Sequence, residues 1–247
     1  MLVEWEVTLK CNYDCFYCTN LDDTILPVLE NDTIDEFIKM LGTTYPGVEI
    51  FVFGGEPFVH PKIEYIIEVF NKYDIPFVVQ TNFSKKSVHV MNRIKEPFNI
   101  NISVHPSEVE LDDVLPLFEK VPSNVTINII DVMYTGREAI KYYMKIKDKG
   151  TTVLTPIADF GDGVSNNSLS EYNKMRTNRI YSKIIDFENI KRLGEYRSEL
   201  WESYNPRGKP CLYNDKYFLY SPNLELHNCC YRDRHEGICK HDKCFLM

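Results

Sequence analysis

Apolar and polar positions alternate with two periods along roughly the first 160 residues, and the two periods take turns. Val3 to Leu9 carries enough alternating apolar positions for a strand. Ile34, Phe37, Ile38 and Leu41 then fall at i, i+3, i+4 and i+7, one face of a helix, behind a capping box predicted from Thr33 and Glu36. Val48 to Phe53 is a second apolar strand running into Gly54 and Gly55, and Ile63, Ile66, Ile67 and Phe70 repeat the helical spacing. The pattern goes on to predict a strand over Ile75 to Thr81, a helix around Ser87 to Ile94, a strand over Phe98 to Val104 and a helix around Leu111 to Phe118. Pro116 makes that last helix short or kinked. A strand over Val125 to Val132, a helix over Arg137 to Lys147 and a strand over Thr151 to Ile157 complete the series. Strands alternating with helices imply an α/β fold, a parallel sheet with right-handed crossovers.

The rhythm stops after that strand. Asp159 to Asn167 is rich in Gly and Asn and reads as an exit turn. Residues 168 to 204 are polar, with scattered apolar pairs such as Ile184-Ile185 and Leu200-Trp201 that predict short helices. Tyr217 to Tyr220 and Leu224 to His227 flank Ser221-Pro222-Asn223, which predicts a small hairpin. The expected organisation is therefore a large unit over residues 1–160, a linker with short helices over 161–205, and a small cysteine-rich unit over 206–247.

Composition narrows the partners. A hydrophobic content of 44% over 247 residues is enough for a sizeable core. A formal charge of -8 argues against general affinity for a nucleic acid backbone. No stretch has the length of a membrane span, and no basic, apolar leader opens the chain, so the expectation is a cytoplasmic protein with neither membrane nor nucleic acid among its partners. In that compartment its eight cysteines suggest metal or redox chemistry rather than disulfides. Three lie at the front and five after residue 210, as if for two sites. Cys11, Cys15 and Cys18 are spaced C-x3-C-x2-C at the end of the first strand. Three thiolates leave one iron of a four-iron cluster open to another ligand, and a structural zinc site fits the same spacing.

CNYDCFYC, from Cys11 to Cys18, resembles the signature of the radical S-adenosylmethionine (radical SAM) superfamily, with Tyr17 as the aromatic residue before the third cysteine. The family's second signature has its match at Gly54, Gly55, Glu56 and Pro57. The resemblance implies a partial (β/α)6 barrel in which Cys11, Cys15 and Cys18 hold a 4Fe-4S cluster and the open iron is chelated by S-adenosylmethionine. It further implies that the Gly54-Gly55-Glu56 turn meets the methionine amine, that Tyr17 lies beside the adenine, and that Ser103 and Asn128 contact the ribose and carboxylate. Asn82 and His105, at the ends of the third and fourth strands, are expected to face the mouth where a substrate enters.

The end of the chain resembles the twitch or SPASM-type extension of that superfamily, a hairpin between cysteines. That likeness implies a second, auxiliary 4Fe-4S cluster on Cys211, Cys229, Cys239 and Cys244, with the adjacent Cys230 as the alternative to Cys229. Two features depart from the pattern: Leu224 replaces the turn glycine, leaving Asn223 as the expected left-handed residue, and the longer cysteine array of a full SPASM domain is missing. The implied activity is cleavage of S-adenosylmethionine to a 5'-deoxyadenosyl radical, which abstracts hydrogen from a peptide or small-molecule substrate in an oxidation, epimerisation or cross-linking. Such an enzyme needs an electron donor, a reductase or a flavodoxin or ferredoxin. The rival expectation is a non-catalytic, cysteine-rich zinc or iron-sulfur binding module.

Overall fold

A computed structural model of the chain describes residues 1–15, 18, 27–120, 126–131, 136–156 and 216–227. Its strands are β1 (Leu2–Thr8), β2 (Ile50–Gly54), β3 (Phe77–Thr81), β4 (Asn99–Val104), β5 (Thr126–Asp131), β6 (Thr151–Pro156), β7 (Tyr217–Tyr220) and β8 (Leu226–His227). Between them run α1 (Asn31–Thr44), α2 (Ile63–Lys72), α3 (Lys85–Met91), α4 (Leu111–Val114) and α5 (Gly136–Ile146). The strands form one sheet in the order β6-β5-β4-β3-β2-β1-β7-β8. Every pairing from β6 through to β7 is parallel, and only β7 with β8 is antiparallel. This is the expected α/β partial barrel, its strands ending at one common edge.

The helix faces are those the periodicity picks out. Ile34, Phe37, Ile38 and Leu41 of α1 are buried, as are Ile63, Ile66, Ile67 and Phe70 of α2. Between them and the sheet lies Trp5 of β1, its ring 4.9 Å from that of Phe37, while Phe70 stacks on Phe77 of β3 at 4.7 Å. Aromatic pairs at such separations add to the free energy of simple burial.

Element boundaries move for local reasons. Helix α1 begins at Asn31, with Glu30 as an N-cap that makes no side-chain cap bond, so Thr33 and Glu36 lie inside the helix and form no capping box. Strand β2 starts at Ile50 because the Val48 N–H closes the turn out of α1 on the Tyr45 carbonyl. Strand β3 starts at Phe77 because the Ile75 N–H is spent on the Phe70 carbonyl at the end of α2. Helix α3 starts early, at Lys85, where Ser84 accepts from the Ser87 N–H at 3.1 Å, a cap worth about 1 kcal/mol. Pro116 acts as expected: α4 stops at Val114 and a 3-10 turn over Leu115–Lys120 replaces it.

The hairpin continues the sheet instead of standing off it. Strand β7 pairs in parallel with β1 through Leu2↔Tyr217 to Trp5↔Tyr220. The Tyr217 hydroxyl donates to Glu4 Oε2 at 2.7 Å, and the Tyr45 and Tyr220 hydroxyls meet at 3.0 Å beside the Phe37 ring. Burial raises the pKa of Glu4, and the Tyr217 hydroxyl opposes that rise. In the turn it is Leu224, with φ 65°, that takes the left-handed conformation, correcting the expectation for Asn223. β8 is accordingly shorter than expected and begins at Leu226.

At the common edge the end of β2 lies against the chain leaving β1. The Gly55 N–H donates to the Thr8 carbonyl at 2.8 Å and the Glu56 N–H to the Lys10 carbonyl at 2.9 Å. A Cβ on Gly54, whose φ is +147°, would stand 2.2 Å from the Thr8 carbonyl oxygen, and one on Gly55 would stand 2.3 Å from that of Lys10. Both obstacles are backbone, which cannot swing aside. Gly55→Ala is therefore expected to destabilise the protein by about 3 kcal/mol, the upper range for overpacking. Gly47→Ala, at φ +73° with nothing within 4 Å of its Cβ, is expected to cost only about 1 kcal/mol for the left-handed backbone. Urea unfolding midpoints of the two variants side by side test this; equal losses would show that the approach of the two backbones is not tight.

Candidate metal and cofactor site

The loop that follows β1 carries Cys11, Cys15 and Cys18 to the edge where β2, β3 and β4 also end. Cys11 is exposed, Cys15 buried and Cys18 between the two. The loop is tied within itself by the Cys18 N–H donating to the Cys15 carbonyl at 2.8 Å and by the Tyr13 N–H pointing at Cys11 Sγ at 3.4 Å. Among the described residues, no three His, Cys, Asp or Glu side chains are gathered closely enough to form a metal cage. The donor set itself nevertheless fits an iron-sulfur cluster: three soft sulfur donors on one loop, with N–H groups directed at a sulfur, as thiolate ligands require. Burial raises the Cys11 pKa, and the Tyr13 N–H opposes that rise.

Three neighbouring strand ends hold this loop. From β2 comes the close backbone contact at Gly54 and Gly55. Immediately after it, Glu56 is wholly buried: its Oε1 accepts from the Phe58 N–H at 3.1 Å and the Thr81 hydroxyl at 2.9 Å, and its Oε2 from the Asn82 N–H at 2.6 Å. Burial raises its pKa while these hydrogen bonds hold it down. Glu56 thus braces the turn and joins it to the end of β3. From β3, the Asn82 side chain donates to Asn12 Oδ1 at 2.9 Å and toward Cys11 Sγ at 3.6 Å. From β4, His105 places Nδ1 3.7 Å from Cys15 Sγ and sets its ring edge-on to Tyr13 at 6.0 Å. Burial pushes the His105 pKa down to about 4, so its imidazole is neutral at ordinary pH. Glu108, just beyond, accepts from the Asp14 N–H at 3.4 Å.

Ser103 is buried near the end of β4, and the register sets its backbone beside that of Asn128 on β5. Tyr17 and all of Cys211, Cys229, Cys230, Cys239 and Cys244 lie outside the described residues, as do the turn-rich stretch 159–167 and the expected short helices of 168–204. Asn12, Ser84 and Glu108 complete the support of the cysteine loop and are not singled out by sequence reasoning. The usable signal was position, since Ser84 and Glu108 lie within four residues of the ends of β3 and β4.

No helix among the described residues is long and apolar enough to cross a membrane. No curated protein matches this sequence. Among solved structures the chain is similar to Streptococcus suis SuiB bound to S-adenosylmethionine, at 12% identity and a TM-score of 0.56 over 92% of this chain and 60% of that one. SuiB bound to the precursor peptide SuiA gives 12% identity and a TM-score of 0.56, over 98% of this chain and 61% of that one. Histidine-tagged anSMEcpe with bound AdoMet gives 18% identity and a TM-score of 0.58, over 93% and 74%. At such identities the likeness establishes the fold, and the chain spans about three fifths of the length of SuiB. The family model of the Radical SAM superfamily matches residues 5–157, which run from β1 past the end of β6 and include both the cysteine loop and the Gly54-Gly55-Glu56 turn. With that match over more than half of its length, the chain belongs to the radical SAM superfamily.

Proposed function

We propose that this chain is a radical SAM enzyme that abstracts hydrogen from a peptide or small-molecule substrate. The observation that carries this reading is the seating of the three-cysteine loop at the common strand edge, held from β2, β3 and β4 at once. Cys11, Cys15 and Cys18 would each bind one iron of a 4Fe-4S cluster, leaving the fourth for the amine and carboxylate of S-adenosylmethionine. When bound, that pair supplies a 5'-deoxyadenosyl radical once a reductase, flavodoxin or ferredoxin has delivered an electron. The main chain of Gly54 and Gly55 would meet the methionine amine, and Glu56, its oxygens already engaged, would keep that turn in place. Tyr17 would lie beside the adenine, and Ser103 and Asn128 would serve the ribose and carboxylate. A peptide substrate is supported by the similar fold of SuiB, which was solved with a precursor peptide.

The hairpin supports a further part of the reading, a twitch or SPASM-like extension with one auxiliary 4Fe-4S cluster on Cys211, Cys229, Cys239 and Cys244. Strand β7 is bound edge to edge with β1, the strand that leads into the front cysteine loop, and the candidate auxiliary cysteines flank the hairpin in sequence. An auxiliary cluster would accept the electron left on the substrate radical or hold the substrate in range.

Anaerobically reconstituted protein is expected to be brown and to carry about eight irons per chain, four for each cluster. About four would retire the auxiliary cluster, and a colourless zinc protein would retire both. Cys15→Ala should abolish reductive formation of 5'-deoxyadenosine, measured by chromatography and mass spectrometry; undiminished cleavage would sink the radical reading. Cys211→Ala should spare cofactor cleavage and suppress substrate conversion, assayed with deuterated candidate substrates whose label passes into 5'-deoxyadenosine. Cys230→Ala should keep its iron, because adjacent cysteines seldom both reach one cluster. Full iron and full conversion in Cys211→Ala would exclude the auxiliary cluster.

A further inference from the structure

Asn82 is 6% exposed, and every polar atom of its side chain is committed. Its Oδ1 accepts from the Ser84 N–H at 3.1 Å and lies 3.4 Å from the Ser87 hydroxyl. A backbone N–H can only donate, so the amide orientation is fixed, and Nδ2 must face the cysteine loop. One of its two hydrogens goes to Asn12 Oδ1 at 2.9 Å and the other points at Cys11 Sγ at 3.6 Å. Asn12 closes the ring by donating from its Nδ2 to Ser84 Oγ at 2.8 Å. The backbone beneath is pinned as well: the Asn82 N–H is bound by buried Glu56, and Phe83 is held at φ 56° with its ring 1% exposed and packed on Phe118 at 4.8 Å. A bulky residue in the left-handed region is uncommon, because its Cβ crowds the carbonyl oxygen. That conformation turns the chain sharply just after Asn82, so strain is being held beside the residue whose amide meets the sulfur.

We propose that Asn82 is a positioning residue for the front iron-sulfur site, whose amide N–H both fixes Cys11 and stabilises negative charge on its sulfur. The inference rests on the reading of Cys11, Cys15 and Cys18 as cluster ligands. A donor aimed at a ligand sulfur favours the reduced cluster, which carries one more negative charge, and so raises its reduction potential. The amide would act through the Cys11 sulfur, while Cys15 faces the imidazole of His105.

The test is a redox titration of the reconstituted full-length protein, following the electron paramagnetic resonance signal that changes when S-adenosylmethionine is added. Asn82→Asp keeps the acceptor for Ser84 but loses both donated hydrogens; Asn82→Leu loses them without adding charge. Both are expected to take up an electron roughly tenfold less readily, the scale of one hydrogen bond to a charged group, or about 59 mV lower in potential for one electron. Ser84→Ala loosens Asn12 and the cap of α3 but leaves the amide facing the sulfur, and is expected to keep the wild-type potential. Equal potentials in wild type and both Asn82 variants, or an equal shift in Ser84→Ala, would overturn the proposal while leaving the cluster reading intact. Absence of a responsive signal in the wild type would overturn both. Should the Asn82 variants fail to hold iron, wild-type protein labelled with 15N-asparagine decides: pulsed resonance of the reduced cluster should show coupling to a side-chain amide nitrogen, and its absence refutes the contact.

Discussion

Two backbones approach more closely at the mouth of this sheet than any side chain would allow. The end of β2 at Gly54 and Gly55 lies directly on the carbonyls of Thr8 and Lys10, where a single methyl group would overlap main-chain oxygen. Because the cysteine loop begins one residue beyond Lys10, its starting point is set by the two backbone hydrogen bonds that this absence of side chains permits. The pair of glycines therefore acts first as a structural device.

A second tier of organisation is polar and is built on that contact. Glu56 cannot be moved without releasing the 3-10 turn, Thr81 and the backbone of Asn82 together, since it accepts from all three. A carboxylate buried this completely is tolerated because its hydrogen bonds replace much of the lost hydration. The result is a relay of position, from β2 through Glu56 to β3 and back through Asn82 to the loop on β1. His105 and Glu108 grip the same loop from the next strand over. Three strand ends thus act on one segment of about eight residues.

The features legible in the sequence are those that depend on short separations. The buried faces of α1 and α2, the parallel alternation and the effect of Pro116 all follow from spacings within one or two turns. The three cysteines and the Gly54-Gly55-Glu56-Pro57 turn are contiguous motifs, and Asn82 and His105 stood out by lying at strand ends. What escaped depends on distant partners or on packing that overrides preference. Nothing near Asn12 foretells that it meets Ser84, 72 positions away. Leu224 adopts a conformation that intrinsic preference would give to Asn223, and it does so while packed against the core. The start of α1 shows the same limit, for a capping box is a local signature and the helix simply began earlier.

The place of β7 has a bearing on how the chain assembles. The Tyr217 hydroxyl reaches Glu4 across 213 positions, so the outer edge of the first strand receives its partner only after β2 to β6 have been made. During synthesis the chain grows at about 5–20 residues per second and earlier segments fold first. The β1 edge, with its unpaired N–H and C=O groups, thus stands open for on the order of ten seconds after β1 to β6 can pair. Exposed parallel edges are templates for unwanted strand pairing. Glu4, whose carboxylate later accepts from Tyr217, places an acidic group on that edge. Until the hairpin arrives, its charge makes the edge a poor template for any other strand.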